Sequence, residues 1–398
     1  MGLLMDLSLG HERELYRDGV RAVCAKFPES YWQRVEAEKR YPDEFVRALT
    51  DGGWLSVLIP TEYGGAGLGL VDACIILEEI NASGGNAAAC HAQMYTMGAL
   101  LRHGSEAQKR RYLPEIAAGR LRLQSMAVTE PEAGSDTSGI TTFARRDGQG
   151  YQVNGQKVFT SRVQHSDLLL LLARTSRAED VARKTDGMSL FLVDLREAGS
   201  SIDVRPIETM VNHETNTLFI TDLHLPADAL MGEEGAGFRQ VLDGLNAERI
   251  LIASESIGDA RWFVDRSVAY AGERIVFGRP IGANQGVQFP IARAFMHARA
   301  AALLRWQAAS LFDAGEACGA EANMAKLLAS EAAWEAADVA MTTYGGSGMA
   351  VELGIERKFR EARLYLVAPV TNNLVTAYVA EHVLGLPRSY GTGIPGAR

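Results

Sequence analysis

The sequence predicts a mainly α-helical protein with a β-domain in its middle. Three observations carry that prediction. Apolar residues recur at helical spacing through residues 1–121, short alternating segments with turn signals fill 122–236, and alanine-rich helical stretches occupy 237–398. These spans are read as an N-terminal helical domain, a middle β-domain and a C-terminal helical bundle domain. A chain of 398 residues has room for two or three domains at about 150 residues each.

In the first span Tyr16, Gly19, Val20, Val23 and Phe27 share one helical face. Pro42 opens a short helix carrying Phe45 and Leu49, which Gly52-Gly53 closes. Ala73, Ile76, Leu77 and Ile80 repeat the pattern. Ser105 followed by Gln108 is a capping-box start, and Gly119 is the matching stop. Near Leu121 the period changes. Thr141–Arg145 alternates, Asp147–Gly150 is a turn, and Asn154-Gly155 reads as a hairpin between Tyr151–Val153 and Lys157–Phe159. Further strands are expected at Leu168–Ala173, Ser189–Asp194, Ile202–Pro206 and Thr217–Leu223, with Leu168–Leu172 deeply buried. In the third span Ile291–Asp313 and Ala322–Thr343 are apolar on more than one face, which predicts packing inside a bundle and against another subunit. Tyr390–Arg398 reads as a loose end.

Composition narrows the function. Hydrophobic residues make up 47% and charged residues 22%, an ordinary globular balance. A formal net charge of −9 without a basic stripe argues against nucleic-acid binding. Cys24, Cys74, Cys90 and Cys318 have no paired spacing and sit among apolar or small residues, as expected of a reducing compartment such as the cytoplasm. No apolar run approaches the ~18 residues of a membrane span, and Met1–Asp6 meets an acid too early for a signal segment. The eight histidines are dispersed, so no metal site is expected. Gly65–Gly69 lacks the spacing and strand context of a dinucleotide fingerprint, and neither a P-loop nor a nucleophile elbow occurs.

Four glycine-bearing or charged segments stand out. Each has an ordinary structural reading when taken alone: a turn at Pro60–Gly67 (PTEYGGAG), a capped turn at Thr129–Asp136 (TEPEAGSD), a helix end at Glu273–Gln285 (ERIVFGRPIGANQ) and a helix stop at Tyr344–Gly348 (YGGSG). Arg274 in the third either complements a helix dipole or holds a pyrophosphate. Taken together, in this order and followed by Glu356–Arg363, they resemble the acyl-CoA dehydrogenase family across nearly the whole chain.

That resemblance implies a helical N-terminal domain, a β-barrel-like middle domain and a C-terminal four-helix bundle, with FAD as cofactor. Met126, Val128 and Thr129, with Phe159, Thr160 and Ser161, would line the flavin ring. Phe159 stands where the family often has tryptophan and still covers a ring face. Ser135 would serve both the flavin side and the pantetheine arm of an acyl-CoA. Arg274, Phe277, Gln285, Gly345 and Gly346 would contact the ADP half of FAD in a neighbouring subunit, with Thr342 where a glutamine is common. Thr371 and Asn373 would complete the cofactor contacts, and Ala368 would border the substrate. A homo-oligomer, a tetramer, follows from sites completed by a second subunit. Acyl-CoA and an electron-transfer flavoprotein are the implied partners.

The reaction implied is α,β-dehydrogenation: a carboxylate takes the α-proton of the thioester while the β-hydrogen leaves as hydride to flavin N5. Many relatives carry that glutamate where this chain has Pro369, within Ala368–Thr371, and proline is no base. A second branch of the family, with the isovaleryl-CoA and long-chain enzymes, places it on an earlier helix before an arginine, and Leu245–Arg249 matches that arrangement. Glu248 is therefore the expected base, with Arg249 orienting it or the substrate and Asn246 reaching the pantetheine. An ordinary solvated helix pair is the competing reading of Glu248-Arg249. An enoyl-CoA reductase, an oxidase, a monooxygenase-like relative and a non-catalytic acyl-CoA-binding subunit stay open as alternatives.

Overall fold

The computed structural model describes residues 10–389. The readings made on Met1–Asp6 and Tyr390–Arg398 lie outside those residues. The first helices are α1 (Gly10–Cys24), α2 (Glu29–Ala37), α3 (Asp43–Asp51), α4 (Leu70–Ala82), α5 (Ala88–His103) and α6 (Glu106–Ala117). Ser105 caps α6 as its sequence predicts: its Oγ accepts from Gln108 N at 3.1 Å, and Gln108 Oε1 accepts from Ser105 N at 2.9 Å. Pro60–Gly67 folds tightly because a side chain at Gly65 would meet the Ile59 carbonyl at 2.1 Å.

The middle β-domain holds β1 (Leu123–Ala127), β2 (Phe143–Asp147), β3 (Gly150–Ser161), β4 (Leu168–Arg174), β5 (Met188–Asp194), a short α7 (Leu195–Ala198), β6 (Ile202–Pro206), β7 (Thr215–Leu225) and β8 (Leu230–Met231). They form one mixed eight-stranded sheet in the order β6-β7-β3-β2-β4-β5-β8, with β1 beside β4. β4 is the five-leucine strand. Leu168, Leu170 and Leu172 face the core shared with α5 and α6, while Leu169 and Leu171 face the core inside the sheet. A strand buried on both faces has no polar side to alternate with, hence the unbroken leucines.

One expectation is corrected. The hairpin between β2 and β3 turns at Asp147–Gly150, not at Asn154-Gly155. Asn154 and Gly155 lie inside β3, where its register with β7 shifts. The Asn154 side chain accepts from Asp222 N at 2.9 Å, and a Cβ at Gly155 would meet Thr142 Oγ1 at 2.4 Å. The glycine thus serves a bulge and a close approach rather than a turn.

The third part contains α8 (Gly237–Glu273), the small hairpin β9 (Ile275–Val276) and β10 (Arg279–Pro280), α9 (Gln285–Asp313), α10 (Gly319–Tyr344), α11 (Ile355–Leu364) and α12 (Asn372–Tyr378). At 37 residues, α8 is roughly 55 Å long. A side chain at Gly237 would strike the Ser189 backbone of β5 at 2.6 Å, and one at Gly258 would strike Glu78 O of α4 at 2.4 Å. This helix therefore touches the sheet at its start and the N-terminal helices in its middle. Its central residues Ile250, Leu251 and Ala253 join α1, α4, α9 and α10 in one core. No helix of the described residues is long and apolar enough to cross a membrane.

Candidate active site

A cleft of about 1210 Å³ opens between the sheet, the first turns of α8 and the segment from α11 to α12. Three walls build it.

The first wall comes from the sheet. Met126, Val128, Thr129 and Ser135 line it from β1 and the turn that follows. A buried pair holds that turn. Lys157 Nζ donates to Glu130 Oε1 and to Val128 O, both at 2.9 Å. Glu130 also accepts from Thr141 N at 2.7 Å and Thr142 N at 3.0 Å. Burial pushes the Glu130 carboxyl up, but Lys157 and these donors outweigh it and hold it at about 2. Burial draws Lys157 down to about 8 despite the pull of Glu130.

Phe159 and Ser161 line the same wall from β3. A register shift between Lys157 and Thr160 puts Phe159 at φ 56, and its ring stands 63% exposed. Ser161 Oγ accepts from Asn212 Nδ2 at 2.8 Å, which ties β3 to the Thr209–Asn212 loop in the cleft. Thr160 is not in the cleft. It is 1% exposed, and its Oγ1 has no hydrogen-bond partner.

The second wall is α8, which contributes Phe238, Leu242, Leu245, Glu248 and Arg249. Glu248 is partly buried. Burial is the main influence on its carboxyl and raises it; His91 and Arg249 oppose, and Glu255 adds to the rise. Tyr95 of α5 lines the cleft, and its phenol is pushed strongly up, by burial first and then by the charge of Glu248. Beside it His91 Nδ1 lies 2.8 Å from Glu255 Oε1. Arg249 Nη1 donates to Asn246 Oδ1 at 3.0 Å, while its Nε has no partner. Asn246 does not line the cleft.

The third wall runs from Leu364 to Tyr378 and includes Ala368, Pro369, Val370 and Thr371. Thr371 caps α12, its Oγ1 accepting from Leu374 N at 3.3 Å. Asn373, in the first turn of α12, stays outside the cleft.

The remaining predicted residues gather elsewhere. Arg274, Phe277, Gln285, Thr342, Gly345 and Gly346 are all exposed and do not line the cleft. They meet at one end of the bundle, where Tyr270 of α8 stacks on Tyr344 of α10 with ring centroids 4.0 Å apart. Phe277, at φ 50 in the β9–β10 turn, is fully exposed. A Cβ at Gly345 or Gly346 would meet nothing within 4 Å.

The cleft residues fit a flavin. The exposed ring of Phe159, the apolar side chains of Met126 and Val128 and the hydroxyls of Thr129, Ser135 and Ser161 line a volume that side chains of this chain leave open. Sequence reasoning missed the Glu130–Lys157 pair, Tyr95, and the Thr209–Asn212 loop. Glu130 was visible inside TEPEAGSD, but its partner lies 27 residues away on β3. Nothing in residues 209–212 marks them in the sequence.

Comparison with known proteins identifies the family and the fold. Three family models match in order: acyl-CoA dehydrogenase N-terminal domain over residues 10–120, middle domain over 125–223 and C-terminal domain over 235–384. The chain is 36% identical over 382 residues to the acyl-CoA dehydrogenase FadE12 of Mycobacterium tuberculosis, covering 95% of this chain and 97% of that protein. It is 31% identical over 377 residues to the 3-(aryl)acrylate reductase of Clostridium sporogenes, covering 94% and 98%. The solved complex of glutaryl-coenzyme A dehydrogenase with glutaryl-CoA superimposes with a TM-score of 0.89 at 30% identity, covering 98% of this chain and 99% of that one.

Proposed function

This chain belongs to the acyl-CoA dehydrogenase family, and on that premise we propose that Glu248 takes the α-proton of an acyl-CoA thioester to form the 2,3-enoyl-CoA. The protein is an FAD-dependent oxidoreductase acting on a CH–CH bond. One observation carries the choice of base. Three carboxylates line the cleft, and two of them are engaged: Asp136 accepts from Ser138 N at 3.1 Å, and Glu381 accepts from Ser389 N at 3.3 Å. Glu248 makes no hydrogen bond or ion pair among the described residues, and burial raises its proton affinity. An unpaired carboxylate of raised pKa is the arrangement a proton acceptor needs.

Met126, Val128, Thr129, Phe159 and Ser161 would hold the flavin ring, and Ser135 would serve the pantetheine arm. Bound FAD supplies the hydride acceptor. The α-proton goes to Glu248, the electron pair of that C–H bond becomes the double bond, and the β-hydrogen leaves as hydride. Arg249 lies next to Glu248 in the cleft without pairing with it and would orient the base or the substrate through its charge. Thr160 on β3, Thr371 capping α12 and Asn373 in its first turn stay assigned to the cofactor.

Because the base must be ionised, kcat/KM is expected to rise with pH through the Glu248 pKa. The midpoint should lie above the ordinary glutamate value of ~4.3. A pH profile of flavin reduction checks this, and a midpoint at or below that value counts against Glu248. Ala368 and Pro369 put small side chains at the middle of the third wall, while Leu364, Val367 and Leu374 keep it apolar. Branched acyl-CoAs should therefore match or exceed straight chains in kcat/KM, and a strong straight-chain preference would refute this.

The exposed cluster at the end of the bundle supports a homo-oligomer in which it completes the FAD site of a second subunit. Phe277, Phe289, Phe295 and Met296 are large, apolar and exposed on that hairpin and on α9. Light scattering should give about four times the 43.1 kDa chain mass; a monomer would exclude the shared site. Electron-transfer flavoprotein as acceptor, the cytoplasm as compartment and domain limits near 121 and 236 belong to the same reading. The likeness to the 3-(aryl)acrylate reductase supports a second direction, reduction of an unsaturated acyl group. Substrate-driven oxidation of reduced flavin by enoyl or acrylyl thioesters, without bleaching by saturated ones, would favour it.

A further inference from the structure

Removing an α-proton requires hydrogen-bond donors on the thioester oxygen, because charge develops there as the proton leaves. Pro369, on the third wall, has no N–H to offer. Its neighbours differ. Ala368 N donates to Leu364 O at 3.0 Å and Asn372 N to Leu366 O at 3.2 Å, so both are used within the fold. The N–H groups of Val370 and Thr371 make no hydrogen bond among the described residues, and both residues line the cleft.

A buried cation grips this short segment. Lys326 of α10 is 0% exposed, and its ammonium donates to Val370 O and to Asn372 Oδ1, both at 2.7 Å. One turn on, Ser330 exchanges hydrogen bonds with the Asn372 amide at 3.1 and 3.2 Å. No carboxylate pairs with Lys326 within 4.0 Å among the described residues, so its buried charge is satisfied by the segment itself. In a planar trans peptide the carbonyl and the following N–H point in opposite directions. Holding Val370 O toward α10 therefore aims the Thr371 N–H away from α10.

We propose that Lys326 is a positioning residue: by fixing the Val370 carbonyl it turns the Thr371 N–H into the cleft as the donor for the acyl-CoA thioester oxygen, the service Pro369 cannot give. This rests on reading the cleft as the acyl-CoA site. Lys326 acts through the backbone and touches no reacting atom. The geometry also explains why a lysine, rather than an apolar residue, sits in the alanine-rich interior of α10.

The test is infrared difference spectroscopy of FAD-loaded protein with an acyl-CoA carrying a ¹³C-labelled thioester carbonyl. In the parent, the bound carbonyl stretch is expected to fall in frequency relative to free ligand. Lys326→Met should lose most of that fall and slow flavin reduction by about a hundredfold, with acyl-CoA Kd within threefold. Because Lys326→Met leaves Asn372 short of a donor and can disturb folding, Thr371→Pro and Thr371→Ala form a second pair. Thr371 has φ −63, which proline accepts, so both variants lose the hydroxyl and γ-methyl, but only Thr371→Pro also deletes the N–H. The carbonyl shift should vanish in Thr371→Pro and persist in Thr371→Ala. An unchanged shift in Lys326→Met and Thr371→Pro overturns the inference while leaving the acyl-CoA reading intact. A parent protein that gives no bound-carbonyl signal with any acyl-CoA overturns both.

Discussion

Replacing Glu248 with glutamine is expected to slow flavin reduction by acyl-CoA about 10³-fold. The substitution keeps the shape of the side chain and removes its ability to accept a proton. Glu248 stands on α8, away from the ring wall of β1 and β3, so FAD content should match the parent. It makes no ion pair or hydrogen bond that glutamine would break, and deleting a charge that burial disfavours should not lower stability. The loss should therefore appear in the chemical step, measured by anaerobic stopped-flow with saturating substrate. A rate within tenfold of the parent would show that another group removes the proton.

The second large effect is structural. Lys358→Met is expected to destabilise the protein by about 3–5 kcal/mol, the usual result of stripping one partner from a buried ion pair. Lys358 is 0% exposed and sits between Asp259 of α8 and Glu361 of its own helix. Its ammonium donates to Glu361 Oε2 and Gly85 O, both at 2.9 Å, and pairs with Asp259. Burial would lower the lysine, but Asp259 and Glu361 overrule it and raise its proton affinity. Without Lys358, Asp259 keeps only the hydroxyl of Tyr365 at 3.0 Å in an interior that disfavours its charge. The same helix, α11, carries Arg360, Arg363 and Leu364 into the cleft. A lower unfolding midpoint should thus come with weaker FAD retention. A midpoint unchanged within a degree would mean that the interior adapts to an uncompensated carboxylate.

The sequence showed most where a local rule acts alone. Ser105 with Gln108, the helix starting after Pro42, and the five leucines of β4 are each dictated by neighbours within a few residues. Helices α2 and α5 escaped notice because neither start carries a side-chain cap, and α5 is buried nearly all round, which erases its periodicity. Asn154-Gly155 misled because the same dipeptide suits a tight turn and a bulge, and only the approach of Thr142 decides between them.

At the site, the difference is one of range. Glu248 and Arg249 stand side by side and could be singled out as a pair. What surrounds them could not. Tyr95 and His91 come from a helix some 150 residues earlier in the chain, Lys157 of β3 is buried against Glu130 in the turn after β1, 27 residues away, and Lys326 reaches Val370 from 44 residues away. The exposed group around Phe277 and Gly345 is separated from the cleft within one chain, as expected if one cofactor is shared between two copies.

A cleft that oxidises an acyl-CoA with Glu248 as base reduces its flavin when the saturated substrate binds. Anaerobic titration of the purified flavoprotein with a panel of straight and branched acyl-CoAs, followed through the oxidised-flavin absorbance, tests it most directly. Stoichiometric bleaching by at least one saturated acyl-CoA in the parent, and none on the same timescale in Glu248→Gln, is the expected result. Flavin that stays oxidised with every saturated acyl-CoA, or that bleaches equally fast in both proteins, would contradict it.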